Sequence, residues 1–280
     1  MGLGGNLMWT PLAYEIYKKT GKISVFISNK KIVEDKAKLW KNLDFILDNT
    51  KHDYTIEQIK NNKNYFLIDM DIRPDLINGK PNIKQHTILS RCHFFGIQNP
   101  EIKIYMKFTK KELNYVKSIY DKLPENFILI EPHAKTSWCI HKQYPLDKWQ
   151  KIVNALYPKI PIVQMSLPDN EVLDNVIDIG KKINNFREAC LMTKYCSLFI
   201  SSEGGLMHGS QVFNKKCFMI YCPMFEPTWT KYDNVYYEWI KSEKHYNCFQ
   251  DGTCNKCLDL MNNHNENIII NKLKNIISSF

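Results

Sequence analysis

FISSEGGLMHGSQVF, residues 199–213, joins an apolar run to a helical pattern through two consecutive glycines. The apolar run predicts a buried strand over residues 197–201, and the residues after the glycines predict a helix over 206–213. Between the two elements, Glu203-Gly204-Gly205 makes a turn. This order of strand, turn and helix is typical of parallel α/β sheets, in which ligands bind at the carboxyl ends of the strands.

Strands and helices alternate along the rest of the chain. Apolar runs predict further strands at residues 23–28, 44–47, 65–69, 127–131, 160–165 and 217–221. The strand at 217–221 is expected to be the last one in the chain. Amphipathic patterns predict further helices at residues 7–19, 32–40, 55–62, 87–95, 110–123, 146–156, 185–192 and 267–280. Such alternation predicts an α/β fold with doubly wound, parallel sheets.

The alternation begins afresh near residue 125, which indicates two domains. We expect two Rossmann-like domains that face a cleft, formed by residues 1–124 and 125–266. Residues 267–280 would form a terminal amphipathic helix that packs back toward the N-terminal domain. A chain of 280 residues is long enough to give each domain its own core.

The chain opens with MGLGGNLMWTPLAYEIYKKTG, a glycine turn followed by an amphipathic helix. Such a turn normally follows a strand, which would lie in the middle of its sheet. We therefore expect a reduced N-terminal domain that lacks its first strand, because the true start lies upstream or the strand has been lost. A gap or an irregular extended segment is expected at residues 1–3.

The composition is that of a globular protein with an excess of positive charge. Hydrophobic residues make up 44% of the chain, and Lys and Arg exceed Asp and Glu by nine. No apolar run approaches the length of a membrane span and no signal sequence opens the chain, so we expect a cytoplasmic protein. The charge favours nucleotides, nucleic acids or an acidic membrane face as partners, and a solvated lysine-rich surface is the alternative. Because the sequence has no RNP-type or helix-turn-helix pattern, nucleic acid is not expected.

Residues 128–149, ILIEPHAKTSWCIHKQYPLDKW, offer hydrogen-bond donors and positive charge after a predicted strand. The loop in this segment carries Lys135, Thr136, Ser137 and Lys142. Hydroxyl and ammonium groups of this kind suit a diphosphate. The alternative is an ordinary basic surface loop.

The turn at Glu203 offers a different set of groups. Gly204 and Gly205 let the backbone approach a ligand closely, and the amides of a helix N-terminus attract phosphate. Glu203 can hydrogen-bond a sugar hydroxyl; alternatively it caps the helix while His208 fills the inner face of the helix. Both loops follow strands of one half, so they should share one rim of the sheet. Together they suit a nucleotide-sugar.

Three motifs, in order along the chain, give it a resemblance to glycosyltransferase family 9, the heptosyltransferase-like enzymes with the GT-B fold. The family's Gly-Asp turn and Thr-Pro helix resemble Gly4-Gly5-Asn6-Leu7-Met8-Trp9-Thr10-Pro11. Its Pro-Gly-Ala-Ser loop, which ends in Lys-Arg-Trp-Pro, resembles Pro132-His133-Ala134-Lys135 and then Lys142-Gln143-Tyr144-Pro145. Its Asp-Ser-Gly-x-x-His turn resembles Glu203-Gly204-Gly205-Leu206-Met207-His208.

The resemblance implies an inverting, metal-independent glycosyltransferase that needs no cofactor. The donor would be a nucleotide-diphosphate sugar, and the acceptor a surface glycan or a lipopolysaccharide-type glycolipid. A peripheral contact with the inner face of the membrane would follow from such an acceptor. Lys142 would contact the donor diphosphate, Glu203, Gly204 and Gly205 would hold its phosphates or sugar, and His208 would support the turn. The N-terminal half would face the acceptor with the loop residues Gly4, Gly5, Asn6 and Thr10.

Departures from the family's motifs affect the expected chemistry. After the first glycine the family has a carboxylate that serves as the base, and this chain has Gly5 at that position. The neighbouring Asn6 cannot replace it, because an amide has no useful basicity. The loop glycine and serine of the family are His133 and Lys135 here, and its aspartate is Glu203. The candidate bases are therefore Asp69, Asp71, His133 and Glu203. The alternative function is that of a catalytically silent GT-B protein that binds a nucleotide-sugar or a glycan.

Three of the nine cysteines form the pattern Cys248-x5-Cys254-x2-Cys257. With His245 or Cys222, these thiolates would complete a tetrahedral zinc site. Only one pair has the tight C-x2-C spacing of such sites, so structural cysteines without a metal are the favoured interpretation.

Overall fold

The computed structural model describes residues 2–48, 54–82, 84–136, 139–246, 248 and 253–279. Within these ranges the chain forms the helices α1 (Leu3–Leu7), α2 (Thr10–Thr20), α3 (Ile56–Lys60), α4 (Thr87–Phe94), α5 (Lys110–Tyr120), α6 (Leu146–Leu156), α7 (Phe186–Met192), α8 (Gly205–Ser210), α9 (Asn255–Asn263) and α10 (Glu266–Ile277). It forms the strands β1 (Ile23–Ser28), β2 (Lys31–Ile32), β3 (Tyr65–Asp69), β4 (Leu76–Ile77), β5 (Lys80–Pro81), β6 (Ile128–Glu131), β7 (Ile162–Gln164), β8 (Ile177–Asp178), β9 (Leu198–Ser202), β10 (Cys217–Tyr221) and β11 (Val235–Trp239). The predicted α/β class is confirmed.

The larger sheet lies in the C-terminal half and contains six strands in the order β11-β10-β9-β6-β7-β8. Neighbouring strands are parallel throughout, and all residues of β9 and β10 are buried. Burial on both faces explains why the central strands are continuous apolar runs in the sequence. The prediction that the strand at 217–221 is the last one was wrong, because β11 follows it. The two-residue strand β8 was missed, since it has no apolar run.

The parallel strands bring the two predicted donor loops to one edge of this sheet. Glu131, the last residue of β6, is in register with Ser201 of β9. The loop that begins at Pro132 and the turn that begins at Glu203 therefore leave the sheet from adjacent strand ends. The shared rim expected from the sequence is present.

The smaller sheet lies in the N-terminal half and contains three strands in the order β2-β1-β3. Strands β1 and β3 are parallel from the pair Ile23 and Tyr65 to the pair Ile27 and Asp69. The strand predicted over residues 44–47 is reduced to one isolated bridge. The carboxyl ends of β1 and β3 consequently lie side by side, with the turns that follow them.

The first element described is the helix α1, and not the irregular extended segment expected at residues 1–3. Gly2 is extended and Leu3 begins the helix, whereas Met1 lies outside the described residues. Gly4 is buried, and a Cβ atom placed on it would lie 2.6 Å from Cδ2 of His208. The missing side chain lets α1 pack directly against α8.

The helix predicted over residues 32–40 was wrong. The strand β2 ends at Ile32, and the carboxylate of Asp35 then accepts hydrogen bonds from the backbone N–H groups of Leu39 (2.7 Å) and Trp40 (2.6 Å). An aspartate that bonds to nearby backbone groups in this way favours a turn over a helix. The apolar spacing in this segment reflects burial of Leu39 and Trp40 in the core.

The two halves of the chain meet through helix pairs, α1 with α8 and α5 with α7. The expected boundary near residue 125 falls between α5 and β6. Helix α10 packs against α6, and Glu266 at its start lies 2.8 Å from Nζ of Lys151. The structure thus places the terminal helix on the C-terminal half, and not toward the N-terminal half as expected. In the described part of the chain, no helix is both long and apolar enough to span a membrane.

Candidate functional site

Lys142 and Glu203, both predicted as donor-binding residues, form an ion pair at the rim of the larger sheet. Glu203 directly follows β9, and Lys142 ends a single 3₁₀ turn, Ile140–Lys142. Nζ of Lys142 lies 2.5 Å from Oε2 of Glu203, and the two side chains are only 15% and 9% exposed. Burial by itself would lower the pKa of Lys142, but the carboxylate of Glu203 outweighs it, and the pKa is raised. Lys142 is therefore a fixed positive charge at this rim.

Gln143 closes the loop that carries Lys142. Its Oε1 accepts a hydrogen bond from the N–H of Ala134 at 2.8 Å, and its Nε2 donates to the carbonyl of Pro132 at 2.8 Å. These bonds tie the beginning of the loop to its end. The ring of Phe225 lies below the ammonium of Lys142, with 4.3 Å between Nζ and the ring centroid. The position of Lys142 is thus fixed from two sides.

The other predicted residues of this loop are less constrained. Lys135 and Thr136 are exposed, and Ser137 lies outside the described residues. His133 donates from Nε2 to the carbonyl of Glu171, 2.8 Å away in the loop after β7. Donor contacts of these residues, and a role of His133 as the base, stay predictions.

His208 lies beneath the glycine turn. Its Nδ1 is 2.8 Å from the hydroxyl of Tyr232, and its Nε2 is 3.9 Å from Oε1 of Glu203. Burial holds the pKa of His208 well below its usual value, so the ring is neutral. The ring of Tyr232 also contacts His86 of the N-terminal half, with 5.2 Å between ring centroids. Tyr232 and His86 were not predicted, because neither belongs to a motif that the sequence shows.

Helix α1 borders the same turn from the N-terminal half. A Cβ atom placed on Gly205 would lie 3.4 Å from the backbone nitrogen of Gly4. Gly205 begins α8, which is only six residues long. A helix this short has a weak dipole, so the phosphate affinity expected of its N-terminus is small. The positive charge of the site comes mainly from Lys142.

Two residues of the predicted acceptor-side loop stabilise the fold. The carbonyl of Gly5 accepts a hydrogen bond from Nη1 of Arg91 at 3.1 Å, and Arg91 stacks on the ring of Trp9. Thr10 is fully buried, and its hydroxyl donates to the carbonyl of Leu7 at 2.8 Å. The acceptor contact predicted for Thr10 is therefore wrong, because its side chain is enclosed at the start of α2.

Asn6, the next residue of that loop, lines a cavity of about 400 Å³ in the N-terminal half. The other lining residues are Ser28 at the end of β1, Val33 directly after β2, and Met70, Asp71 and Arg73 in the segment after β3. Oδ1 of Asp71 accepts from Oγ of Ser28 at 2.6 Å, and its Oδ2 accepts from the N–H of Asn29 at 2.5 Å. These hydrogen bonds lower the pKa of Asp71. The carboxylate is ionised at neutral pH.

Glu131 is a further carboxyl group at the rim that the sequence did not single out. Oγ of Ser201 donates to its Oε2 at 3.1 Å. Burial raises the pKa of Glu131 to about 7, and the bond from Ser201 offsets this only in part. The carboxyl group of Glu131 therefore loses its proton at a higher pH than that of an exposed glutamate.

Four potential metal ligands lie close together between the end of β11 and the first turn of α9, as the zinc-site interpretation of the cysteines predicted. Nε2 of His245 lies 3.2 Å from Sγ of Cys257 and 3.4 Å from Sγ of Cys254, and Sγ of Cys248 lies 3.5 Å from Sγ of Cys257. All four ligand atoms lie within 4.8 Å of one another. His245, and not Cys222, completes the set. Three sulfur atoms and one imidazole nitrogen at such distances fit a tetrahedral metal ion.

No protein-family model matches the chain, and no curated protein matches its sequence. Solved structures do match. The iron-containing dodecameric glycosyltransferase TibC from enterotoxigenic E. coli H10407 gives a TM-score of 0.65 at 13% identity, over 99% of this chain and 74% of TibC. A family 9 glycosyltransferase from Veillonella parvula gives 0.61 at 12% identity, over 87% of this chain and 84% of that one. The E. coli heptosyltransferase WaaC, solved with ADP, gives 0.52 at 13% identity, over 85% and 91%.

These likenesses confirm the fold expected from the three motifs. The chain has the heptosyltransferase-like GT-B fold of family 9 glycosyltransferases. TibC has also been solved in complex with ADP-D-β-D-heptose.

Proposed function

We propose that the chain is a glycosyltransferase that takes a sugar from a nucleoside-diphosphate donor. The observation that carries the proposal is the ion pair of Lys142 and Glu203 at the carboxyl end of β9. This edge is where open α/β sheets bind their ligands. A buried ammonium ion suits a diphosphate, and the adjacent carboxylate suits the hydroxyl groups of a sugar.

The pair also has a role during transfer. As the bond between the sugar and the diphosphate breaks, negative charge grows on the phosphate oxygen that leaves. The ammonium of Lys142 is already in place to stabilise that charge, because Glu203 and Phe225 fix it before the donor binds. Attack from the opposite face of the sugar would invert the anomeric carbon, and this step needs no metal ion.

The fold and the ligands of similar structures support a proposal for the donor and the acceptor. We propose an ADP-activated sugar as donor, since ADP-heptose and ADP occupy solved structures of TibC and WaaC. The acceptor would be a surface glycan or a lipopolysaccharide-type glycolipid, bound by the N-terminal half. Such an acceptor would place the protein inside the cell, in contact with the inner face of the membrane.

We also propose that His245, Cys248, Cys254 and Cys257 hold a metal ion, either zinc or iron. TibC, which is similar in fold, is described as containing iron. Helix α9 begins directly after Cys254 and contacts the 3₁₀ turn that carries Lys142. A metal ion here would stabilise that turn, and the transfer itself would not pass through it.

A catalytically silent GT-B protein is the second candidate, because Gly5 stands where the family has its acid. Incubation with ADP-, UDP- and GDP-sugars, with release of the nucleotide as readout, separates the two. Transfer or slow hydrolysis, reduced by Glu203→Ala but not by Glu125→Ala at an exposed position, is expected of an enzyme. Binding without turnover, with no effect of Glu203→Ala on any background rate, would support the silent protein.

A further inference from the structure

An inverting transfer needs a base for the proton of the acceptor hydroxyl, and Gly5 cannot supply it. Glu203 is paired with the ammonium of Lys142 at 2.5 Å, which commits its charge to the donor side. Oδ1 of Asp69 accepts a hydrogen bond from the N–H of Asp71 at 2.9 Å and so shapes the turn after β3. Of the four candidate bases, Asp69, Asp71, His133 and Glu203, only Asp71 is among the described residues that line the cavity beside Asn6.

The cavity adjoins the donor turn through a single short helix. Asn6 lines the cavity, and Gly4, two residues earlier in α1, touches Gly205 and His208. Helix α1 thus has the cavity on one side and the glycine turn after Glu203 on the other. The position that the family acid would take, Gly5, lies between these two contact points. Asp71, which lines the cavity, comes from the turn after β3.

Ion pairs and hydrogen bonds hold the wall of the cavity in place. Nε and Nη2 of Arg73 donate to the two carboxylate oxygens of Asp75 at 3.1 and 2.8 Å. Nε of the buried Arg91 lies 3.7 Å from the same carboxylate, and Arg91 also donates to the carbonyl of Gly5. One network therefore fixes both Arg73 in the cavity wall and α1. A volume of about 400 Å³ is within the range of small-molecule sites.

The geometry of Asp71 is that of a positioned proton acceptor. Ser28 and Asn29 each donate one hydrogen bond to it, one to each oxygen, and these partners come from the end of β1. Each carboxylate oxygen has a second lone pair, which leaves room for one more donor. An acceptor hydroxyl in the cavity would be that donor.

We propose that the cavity binds a hydroxyl-bearing sugar unit of the acceptor and that Asp71 is the general base of the transfer. The acceptor hydroxyl gives its proton to a carboxylate oxygen of Asp71, and its oxygen forms a bond to the anomeric carbon of the donor. The bond between that carbon and the diphosphate oxygen breaks, and its electron pair leaves with the nucleoside diphosphate. This inference rests on the proposed glycosyltransferase function.

The test uses ADP-heptose with water as acceptor, in the presence and absence of sodium azide. Asp71→Asn should lower hydrolysis by at least about 100-fold, the usual contribution of a general base. ADP affinity, measured by calorimetry, should stay within twofold of wild type, because Asp71 lies outside the donor site. Asp44→Asn, at an exposed position in the same half, is the matched control and should change neither quantity.

Azide distinguishes a base from a residue that only maintains the structure. The azide ion carries no proton, so its attack on the donor needs no base. Asp71→Ala should therefore form glycosyl azide faster than it hydrolyses the donor. Normal hydrolysis by Asp71→Asn, or no glycosyl azide from a variant that still binds ADP, would overturn the role of Asp71. Wild-type protein that binds ADP but turns over no donor would also refute the role of Asp71 as the base, but it would not refute donor binding. Wild-type protein that binds no ADP would refute the proposed function itself.

Discussion

Arg187 in α7 and Glu112 in α5 form an ion pair across the two halves of the chain, with 2.6 Å between Nε and Oε1. The guanidinium group also donates to the carbonyls of Lys38 (2.7 Å) and Lys107 (2.6 Å). Arg187 is 2% exposed, so almost all of its donors are satisfied inside the protein. This one side chain connects three segments of the N-terminal half to the C-terminal half.

Removing Arg187 should therefore destabilise the whole protein. Arg187→Ala leaves Glu112 and two carbonyls without their donor, and losing one partner of a buried pair costs about 3–5 kcal/mol. Urea denaturation measures the loss in the free energy of unfolding. Lys117→Ala, which breaks the exposed pair with Asp121, should change the free energy of unfolding far less. A similar small cost for both variants would contradict the role given to Arg187.

The ion pair of Arg187 and Glu112 also predicts how the stability of the protein changes at acidic pH. Partial burial by itself would raise the pKa of Glu112, but the hydrogen bonds from Arg187 and Thr109 outweigh it and lower the pKa to about 2. Because the folded-state pKa lies below the usual 4.5, the stabilisation is complete above pH 4.5 and is lost as the pH falls toward 2. Glu112→Gln should lack this part of the acid dependence when unfolding is followed between pH 5 and 2. An unchanged acid dependence in the variant would count against the lowered pKa.

Glu131 should have the opposite dependence on pH. Its pKa is raised from 4.5 to about 7 in the folded protein, so the folded state binds more protons than the unfolded state between these values. The stability contributed by this group therefore falls as the pH rises from 4.5 to 7. Glu131→Gln keeps an acceptor for Ser201 and removes the charge. Relative to wild type, the variant should gain stability from pH 5 to pH 8, by up to about 3 kcal/mol. The exposed Glu125→Gln should show no such gain, and an equal effect of both variants would refute the assignment.

Gly4 should not tolerate a side chain. A Cβ atom there would lie 2.6 Å from Cδ2 of His208 and 3.0 Å from Cα of Gly205, so either α1 or the donor turn must move. Gly4→Ala should lower the free energy of unfolding by about 1–3 kcal/mol and weaken ADP binding as well. Gly2→Ala, where nothing lies within 4 Å of the new atom, is the matched control. Equal stability of the two variants would show that α1 does not pack on α8.

The cysteine cluster predicts a bound metal ion in the purified protein. Elemental analysis should find about one zinc or iron per chain, and a strong chelator should lower the melting temperature, because metal binding contributes to folding. Cys257→Ser should lose most of the metal, whereas Cys92→Ser, at a buried thiol outside the cluster, should retain it. Metal-free wild-type protein that keeps its melting temperature in chelator would rule out this site.

Much of the C-terminal half could be predicted from the sequence, because its signals are local. Strand β10 is an uninterrupted apolar run, β9 begins with one, and the helix α6 has a clear amphipathic pattern. The rim that joins the Glu203 turn to the Lys142 loop followed from the parallel order of strands. The contact between Lys142 and Glu203 joins residues that are 61 positions apart, so only the folded chain shows it.

The N-terminal half was predicted less well, since side-chain hydrogen bonds and glycine contacts decide its structure. Asp35 changes an apparently helical segment into a turn, and Gly4 lets a helix replace the expected extended start. Tyr232 and Arg91 act through long-range contacts with His208 and Gly5, and such contacts leave no pattern in a single sequence. The sequence offers Asp71 as one of several candidate bases, and only the structure shows that it lines the same cavity as Asn6.

The most direct test of donor binding at the Lys142–Glu203 pair is a structure of the wild-type protein with ADP. Nζ of Lys142 should then lie within about 3.2 Å of a diphosphate oxygen, at the rim formed by the ends of β6 and β9. The open side of the diphosphate, where the sugar would be attached, should face the cavity that Asp71 lines. ADP bound elsewhere on the chain, or no ADP bound at millimolar concentration, would contradict a nucleotide-sugar site at this pair.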